Sequence, residues 1–120
     1  MRINEKGTNM KITEEIKDYL YKKLEYIEKF LDPADESVLC DVELGKMSKH
    51  HKTGDVFRTE INLHIAGKNF RAEAEENELF ASIDIAKDEM VRELKSNKDK
   101  KVSQLKHGGA KIKGIIKETK

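Results

Sequence analysis

The sequence predicts an α+β domain in which two amphipathic helices cover one face of a four-stranded, mainly antiparallel sheet, in the order β-α-β-β-β-α. Apolar residues repeat at helical spacing over 13–31 and 77–95. They alternate with polar residues, as in half-buried strands, over 38–44, 57–65 and 70–74, and a short first strand fits around Ile3. We therefore expect a two-layer sandwich, with both helices on one side of the sheet and a polar surface on the other.

The first helix is expected to begin after Thr13, an N-cap residue that is followed by Glu14 and Glu15 in the positive first turn. It should end at Leu31, because Pro33 cannot continue it. The residues predicted to face the core form one stripe: Ile16, Leu20, Leu24, Ile27 and Leu31.

The last two strands are separated by a short segment that contains glycine, which predicts a β-hairpin. A two-residue turn of type II′ requires glycine at its first central position, so we place Gly67 and Lys68 at the centre. In that register Ile65 faces Phe70, and the apolar residues of both strands lie on the same side.

The second helix is expected to run from a cap at Asn77 to about Lys95. Its predicted core stripe consists of Leu79, Ile83, Ala86, Met90 and Leu94. Beyond Lys98 the apolar pattern stops and two adjacent glycines follow. We therefore divide the chain into a domain at 1–98 and a basic, flexible arm at 99–120.

Charge is distributed unevenly along the chain. The formal net charge is only +1, from 24 Lys and Arg against 23 Asp and Glu. Residues 95–120 hold nine lysines and two acidic residues, an excess of +7, so residues 1–94 carry −6. A polyanion would therefore be contacted locally, by the basic tail and by selected faces of the domain.

Few features of the sequence favour catalysis, a cofactor or a metal. Cys40 lies on the inward phase of its strand, which predicts a buried core thiol and not a nucleophile. His50 and His51 lack a regularly spaced third ligand, so we interpret them as solvated loop residues. The glycines form no phosphate-binding loop. We expect a protein that is not an enzyme and that uses no cofactor, metal or small-molecule substrate.

The hydropathy of the chain predicts a cytoplasmic protein without a membrane partner. No stretch approaches the ~18 consecutive apolar residues of a membrane span. The N-terminus lacks the apolar core of a secretory signal, and a single cysteine agrees with a reducing compartment.

The predicted polar sheet face disfavours one common mode of RNA binding. RNA-recognition motifs stack unpaired bases on aromatic residues of an open sheet, and none is expected on this face. A reader of structured RNA instead presents Lys and Arg from helices and loops to phosphates. The candidate cations on and after the helices are Lys22, Lys23, Lys29, Lys87, Arg92, Lys95, Lys98, Lys100 and Lys101, and the loop adds Lys46, Lys49 and Lys52.

Two stretches carry a family resemblance. The first helix begins Ile-Thr-Glu-Glu-Ile-Lys-Asp-Tyr at 12–19 and continues Glu-Lys-Phe at 28–30. The later strand-to-helix stretch reads Phe-Arg-Ala-Glu at 70–73 and Leu-Phe-Ala-Ser-Ile-Asp at 79–84. In this order they resemble the ribosome hibernation promoting factors, also called ribosome-associated translation inhibitors, over about residues 1–98.

The resemblance implies a fold akin to double-stranded-RNA-binding domains. It also implies a non-enzymatic protein that binds the rRNA of the small ribosomal subunit in the path of messenger and transfer RNA. The family's long members add a C-terminal dimerisation domain, for which 120 residues leave no room, so the short form is implied. Carried over by position, the implied rRNA-binding residues are Lys23, Lys29, Arg92, Lys95 and Lys98.

The chain departs from the family pattern at Tyr26, Glu89 and Ser96, where a basic residue is common. The cations expected to compensate are Lys22, Lys87, Lys100 and Lys101. Two other functions stay open at this point. One is a stand-alone module for structured RNA, and the other is a protein-interaction module whose basic tail docks on an acidic partner.

Overall fold

The computed structural model describes residues 1–47 and 54–108, with side chains described up to residue 97. It confirms the predicted α+β sandwich and the order of its elements. The interpretation of His50 and His51 as loop residues, the loop cations Lys49 and Lys52, and the last part of the arm lie outside the described residues. The elements are β1 (Arg2–Thr8), α1 (Glu14–Glu28), β2 (Leu39–Met47), β3 (Val56–Ile65), β4 (Lys68–Glu76) and α2 (Leu79–Gly108).

The four strands form one sheet in the order β1-β2-β3-β4. β1 is parallel to β2, because α1 connects them and returns the chain to the same end of the sheet. The pairs β2–β3 and β3–β4 are antiparallel, so the sheet is mainly antiparallel, as predicted.

Helix α1 begins where the sequence predicts. The Thr13 hydroxyl oxygen accepts a hydrogen bond from the Ile16 amide at 3.3 Å, which satisfies one of the free donors of the first turn. The α-helix ends at Glu28, but the amides of Phe30 and Leu31 still donate to carbonyls three residues earlier. The predicted end at Leu31 is therefore three residues beyond the end of the α-helix, and residues 29–31 form a tighter i→i+3 turn that we count with α1 below.

The core lies between the helices and the sheet, and the predicted helix and strand stripes supply it. Cys40 is fully buried, as predicted, and burial raises the pKa of its thiol to about 12. Such a thiol stays protonated and is a poor nucleophile. The apolar side chains without exposed surface are Leu20, Leu24, Ile27, Cys40, Leu44, Ile61, Leu63, Ile83, Ala86 and Met90.

The predicted hairpin register is wrong by two residues. Ile65 pairs with Lys68, so the turn centre is Ala66 and Gly67. Both residues have positive φ, 45° and 80°, which defines a type I′ turn and not type II′. Because side chains alternate with a period of two, the shift keeps every apolar residue on the predicted side of the sheet.

Replacing Ala66 by Asn should stabilise the protein, since Ala is strained at positive φ and Asn-Gly is a preferred type I′ pair. We expect the free energy of unfolding to rise by about 0.5–1 kcal/mol and the melting temperature by about 2–6 °C. Thermal and urea unfolding would measure both. Ala66→Val should lower stability, because a β-branched residue tolerates this φ poorly. A loss of stability in A66N would contradict the type I′ turn.

Helix α2 begins close to the predicted position, but Asn77 makes a different contact from the predicted cap. The Asn77 side-chain amide donates to the Asp55 carbonyl at 3.4 Å, and the first α-helical hydrogen bond runs from the Ser82 amide to the Glu78 carbonyl. Asn77 therefore ties the helix start to the segment before β3, where the sequence had predicted a helix cap.

Helix α2 also continues to Gly108, thirteen residues beyond the predicted end at Lys95. The apolar pattern stops near Leu94 because the helix leaves the core there, not because the helix ends. Residues 96–107 contain no Pro or Gly and include the good helix formers Lys, Gln and Leu. The division of the chain at residue 98 stays a prediction.

Candidate nucleic-acid interface

The two helices lie side by side and run in the same direction. Residues early in α1 contact residues early in α2, and residues late in α1 contact residues further along α2. Aromatic and charged side chains occupy the two facing flanks. We call this set the helix seam: Tyr19, Lys23, Tyr26 and Phe30 of α1, with Phe80, Asp84, Lys87 and Lys95 of α2.

At the start of the seam, Asp84 joins the helices. The Tyr19 hydroxyl donates to the Asp84 carboxylate at 2.7 Å, and Lys23 Nζ lies 3.3 Å from Asp84 Oδ1. The hydrogen bond to Asp84 raises the pKa of the Lys23 ammonium, and the same carboxylate raises the pKa of Tyr19. The Tyr19 ring packs on Phe80 with centroids 4.4 Å apart. Lys23 is thus held in place but partly neutralised.

In the middle of the seam, Tyr26 contacts cations from both helices. Lys87 Nζ of α2 lies 4.7 Å from the centroid of its ring, and Lys29 Nζ of α1 lies 5.4 Å away. These distances are typical of cation–π attraction. Tyr26, where a basic residue is common in the family, therefore contacts two neighbouring lysines.

At the end of the seam, Lys95 Nζ lies 5.4 Å from the centroid of Phe30. Phe30 in turn packs edge-on against Tyr26, with centroids 5.5 Å apart. The seam thus alternates rings and ammonium groups along its length, and the rings restrain cations that would otherwise sample many rotamers.

The structure brings four of the nine predicted cations to the seam or its Tyr26 ring: Lys23, Lys29, Lys87 and Lys95. Lys22 is exposed on α1 near Tyr19 and Phe80. Arg92 lies about 60° further around α2 than Lys95. It is 71% exposed and pairs with Glu89 at 3.2 Å. The remaining three belong to α2 by their backbone, and their side chains are not described: Lys98, Lys100 and Lys101.

Sequence reasoning missed the aromatic half of the seam. Tyr19, Tyr26 and Phe30 are separated by seven and four residues, so they share a helix flank with Lys23. That spacing was readable in the sequence. Their partners on α2 were not, because a pattern within one helix does not show which flank of another helix it meets.

The outer sheet face is polar, as predicted, and its arginines pair within the face. Glu43, Glu60 and Glu73 lie directly opposite one another on β2, β3 and β4. Arg58 bonds to Glu73, and Arg71 Nε lies 2.5 Å from Glu60 Oε2. Cross-strand repulsion between the glutamates is thereby offset.

The described residues contain neither a cluster of metal-ligating side chains nor a helix suited to crossing a membrane. Within 1–47 and 54–108, no three side chains of the metal-ligating types lie close enough to hold an ion. Over the same residues, no helix combines the length and the apolar character that crossing a bilayer requires.

The structure defines a class of two-layer α+β domain that solved structures of other proteins share. A crystal structure of the Thermus thermophilus protein Y N-terminal domain matches with a TM-score of 0.66 and 31% identity, covering 80% of this chain and 98% of that one. A ribosomal subunit interface protein from Coxiella burnetii has the same fold, with a TM-score of 0.66 at 17% identity, covering 82% of this chain and 99% of that one.

The sequence relatives agree. A ribosome hibernation promoting factor of Pseudomonas putida is 30% identical over 111 residues, which are 92% of this chain and 100% of the relative. A ribosome hibernation promotion factor of a Picosynechococcus species is 29% identical over 118 residues, 98% of this chain but only 60% of the relative. The family model described as Sigma 54 modulation protein / S30EA ribosomal protein matches residues 3–102.

The chain belongs to the Sigma 54 modulation protein / S30EA ribosomal protein family. Several of its relatives are named ribosome hibernation promoting factors. The resemblance seen in the sequence is thereby confirmed.

Proposed function

We propose that the protein binds the small ribosomal subunit of idle ribosomes in the cytoplasm, in the channel that messenger and transfer RNA use, and inhibits translation by occupying it. Family membership supports a ribosomal partner.

The helix seam is the observation on which this proposal depends. Phosphate recognition needs cations that are exposed and already positioned, because immobilising a flexible lysine costs entropy on binding. Lys29 and Lys95 are exposed and lie against aromatic rings, and Lys87 lies against Tyr26 while pairing with the exposed Asp88. Among the described residues, the outer sheet face has no ring–ammonium contact of this kind, and its arginines pair with glutamates. The helix layer is therefore the surface proposed to meet 16S-type rRNA.

The proposed rRNA contacts are backbone contacts, so they fix position and need not read sequence. Inhibition follows from occupancy alone: no bond is made or broken, and no cofactor takes part. The residues proposed for these contacts are Lys22, Lys23, Lys29, Lys87, Arg92, Lys95, Lys98, Lys100 and Lys101.

Co-sedimentation with purified small subunits at several salt concentrations tests the proposal. If nine cations each neutralise one phosphate, log affinity should fall with log salt with a slope of about −6 to −8. Binding should also protect subunits from occupancy by messenger and transfer RNA. No sedimentation at low salt, or binding that leaves the channel open to both RNAs, would contradict the proposal.

Competition distinguishes the other two functions. Short duplex RNA that competes as well as small subunits would indicate a general module for structured RNA. A complex with a cellular partner that survives nuclease treatment would indicate a protein-interaction module. Preferential competition by small subunits is the result expected here.

A further inference from the structure

Tyr26 brings cations from two helices to one point. Lys29 of α1 and Lys87 of α2 have ammonium groups 5.4 Å and 4.7 Å from the centre of its ring. The two groups therefore lie within about 10 Å of each other, although they belong to different elements. Attraction to the electron-rich ring offsets part of the repulsion between them.

A carboxylate already occupies one side of this pair. Asp88 Oδ1 lies 2.6 Å from Lys87 Nζ while that ammonium remains against the Tyr26 ring. The Lys87 side chain is 17% exposed, whereas that of Asp88 is 63% exposed. An anion can therefore reach Lys87 from solvent without moving it from the ring, and Asp88 shows the direction of approach.

We propose that Tyr26 is a positioning residue that holds Lys29 and Lys87 as a prepared binding site for RNA phosphate. The inference rests on the proposed function and specifies which contact of the helix layer exists before RNA arrives. One phosphate displaces the exposed Asp88 carboxylate from Lys87, and a neighbouring phosphate of the same strand contacts Lys29. Tyr26, which is 41% exposed, stays at the protein–RNA boundary.

The site has a chemical preference that follows from its construction. Two successive phosphates of one strand can each contact one of the two ammonium groups. A neutral ligand gains nothing from displacing the Asp88 carboxylate. Phosphodiester backbone is therefore the class of ligand that this pair fits, independent of base sequence.

Two substitutions of Tyr26 distinguish the positioning of lysines by its ring from the effect of its apolar volume. Tyr26→Phe keeps the ring and its cation–π contacts, whereas Tyr26→Leu keeps apolar volume and removes the ring. The first measurement is affinity for small subunits at several salt concentrations. We expect Y26F to bind like the wild type. Y26L should bind about three- to ten-fold more weakly, with a log-log salt slope shallower by about 1.

The second measurement needs no ribosome. Protons on the carbon next to Nζ of Lys29 and Lys87 should be shifted upfield in the NMR spectrum by the Tyr26 ring, and Y26L should abolish both shifts. Titration with a short RNA hairpin should perturb both lysines together in the wild type. Thermal unfolding of each variant checks that the fold is retained.

The outcomes are separable. Wild-type affinity and salt slope in a folded Y26L variant would overturn the positioning role, as would RNA titration that leaves both lysines unperturbed. Failure of the wild type to bind small subunits would overturn the proposed function. In that case joint perturbation of Lys29 and Lys87 by the hairpin would still support the phosphate site.

Discussion

Reversing the charge of three helix-layer lysines should abolish binding to the small subunit. Lys22, Lys29 and Lys95 are exposed, and no ion pair holds any of them among the described residues. A hydrogen bond to a charged group contributes about 1.5–3 kcal/mol. Losing three phosphate contacts of this kind should therefore weaken binding by ~10³-fold or more, and glutamate adds repulsion. Co-sedimentation at low salt measures the loss.

The matched control reverses three cations elsewhere on the domain. Arg2 on β1, Lys11 before α1 and Lys68 on β4 are also exposed, and replacing them by Glu changes the net charge by the same amount. We expect this variant to lose much less affinity, because only the long-range attraction changes. Equal losses in the two variants would show that net charge, and not the helix layer, governs binding.

Lys22, Lys29 and Lys95 are better test positions than Lys23. Lys23 pairs with Asp84, so a glutamate there would place two carboxylates together beside Tyr19 and could disturb the packing of α1 on α2. The three chosen lysines contact at most an aromatic ring. A folded variant is therefore expected, and circular dichroism would verify it.

Replacing Ser82 by Ala should cause a large loss of stability for a change of one atom. Ser82 and Thr59 are both fully buried, and their hydroxyl oxygens lie 2.7 Å apart. Ser82 donates to the Leu79 carbonyl, also at 2.7 Å, so Thr59 donates to Ser82. The substitution leaves the Thr59 hydroxyl buried without an acceptor, which costs about 1–3 kcal/mol. Urea unfolding should show this decrease in the free energy of unfolding.

A double-mutant cycle gives the sharper result. Thr59→Val removes a donor but leaves Ser82 bonded to Leu79, so it should cost only about 0.5–1.5 kcal/mol. The double variant T59V/S82A removes both partners and should be less destabilised than the sum of the single changes, with a coupling of about 1 kcal/mol. Ser96→Ala, at an exposed position of the same helix, should change little. Strict additivity in the cycle would contradict the buried hydroxyl pair.

The helix seam changes the interpretation of charge in this chain. A net charge of +1 argues weakly against a polyanionic partner, and a count by segment assigns the excess to the tail. The structure adds that helix cations lie against aromatic rings, as Lys87 does against Tyr26 and Lys95 against Phe30. A few positioned cations can support oriented binding that net charge does not predict.

Local pattern was sufficient for most of the fold. Thr13 caps α1 because a side-chain oxygen three residues before a free amide satisfies it whatever surrounds the helix. Cys40 is buried because strand alternation places it on the side of three apolar neighbours. Predictions of this kind depend on residues close in sequence, and the structure confirms them.

The predictions that failed depended on choices between nearly equivalent local solutions. Turns centred on Gly67-Lys68 and on Ala66-Gly67 both leave the apolar residues on one side, so alternation could not distinguish them. The predicted end of α2 followed the last apolar residue of its core stripe. A helix can continue beyond its last core contact when no Gly or Pro interrupts it.

The sequence by itself determined the α+β class, the order of the elements and the faces that form the core, and it supplied the candidate cations. Only the tertiary structure decided the hairpin register, the length of α2 and the alignment of the two helices. That alignment places Tyr26 of α1 against Lys87 of α2, sixty-one positions later in the chain. Contacts between separate elements depend on how both pack on a common sheet, and no periodicity within either helix carries that information.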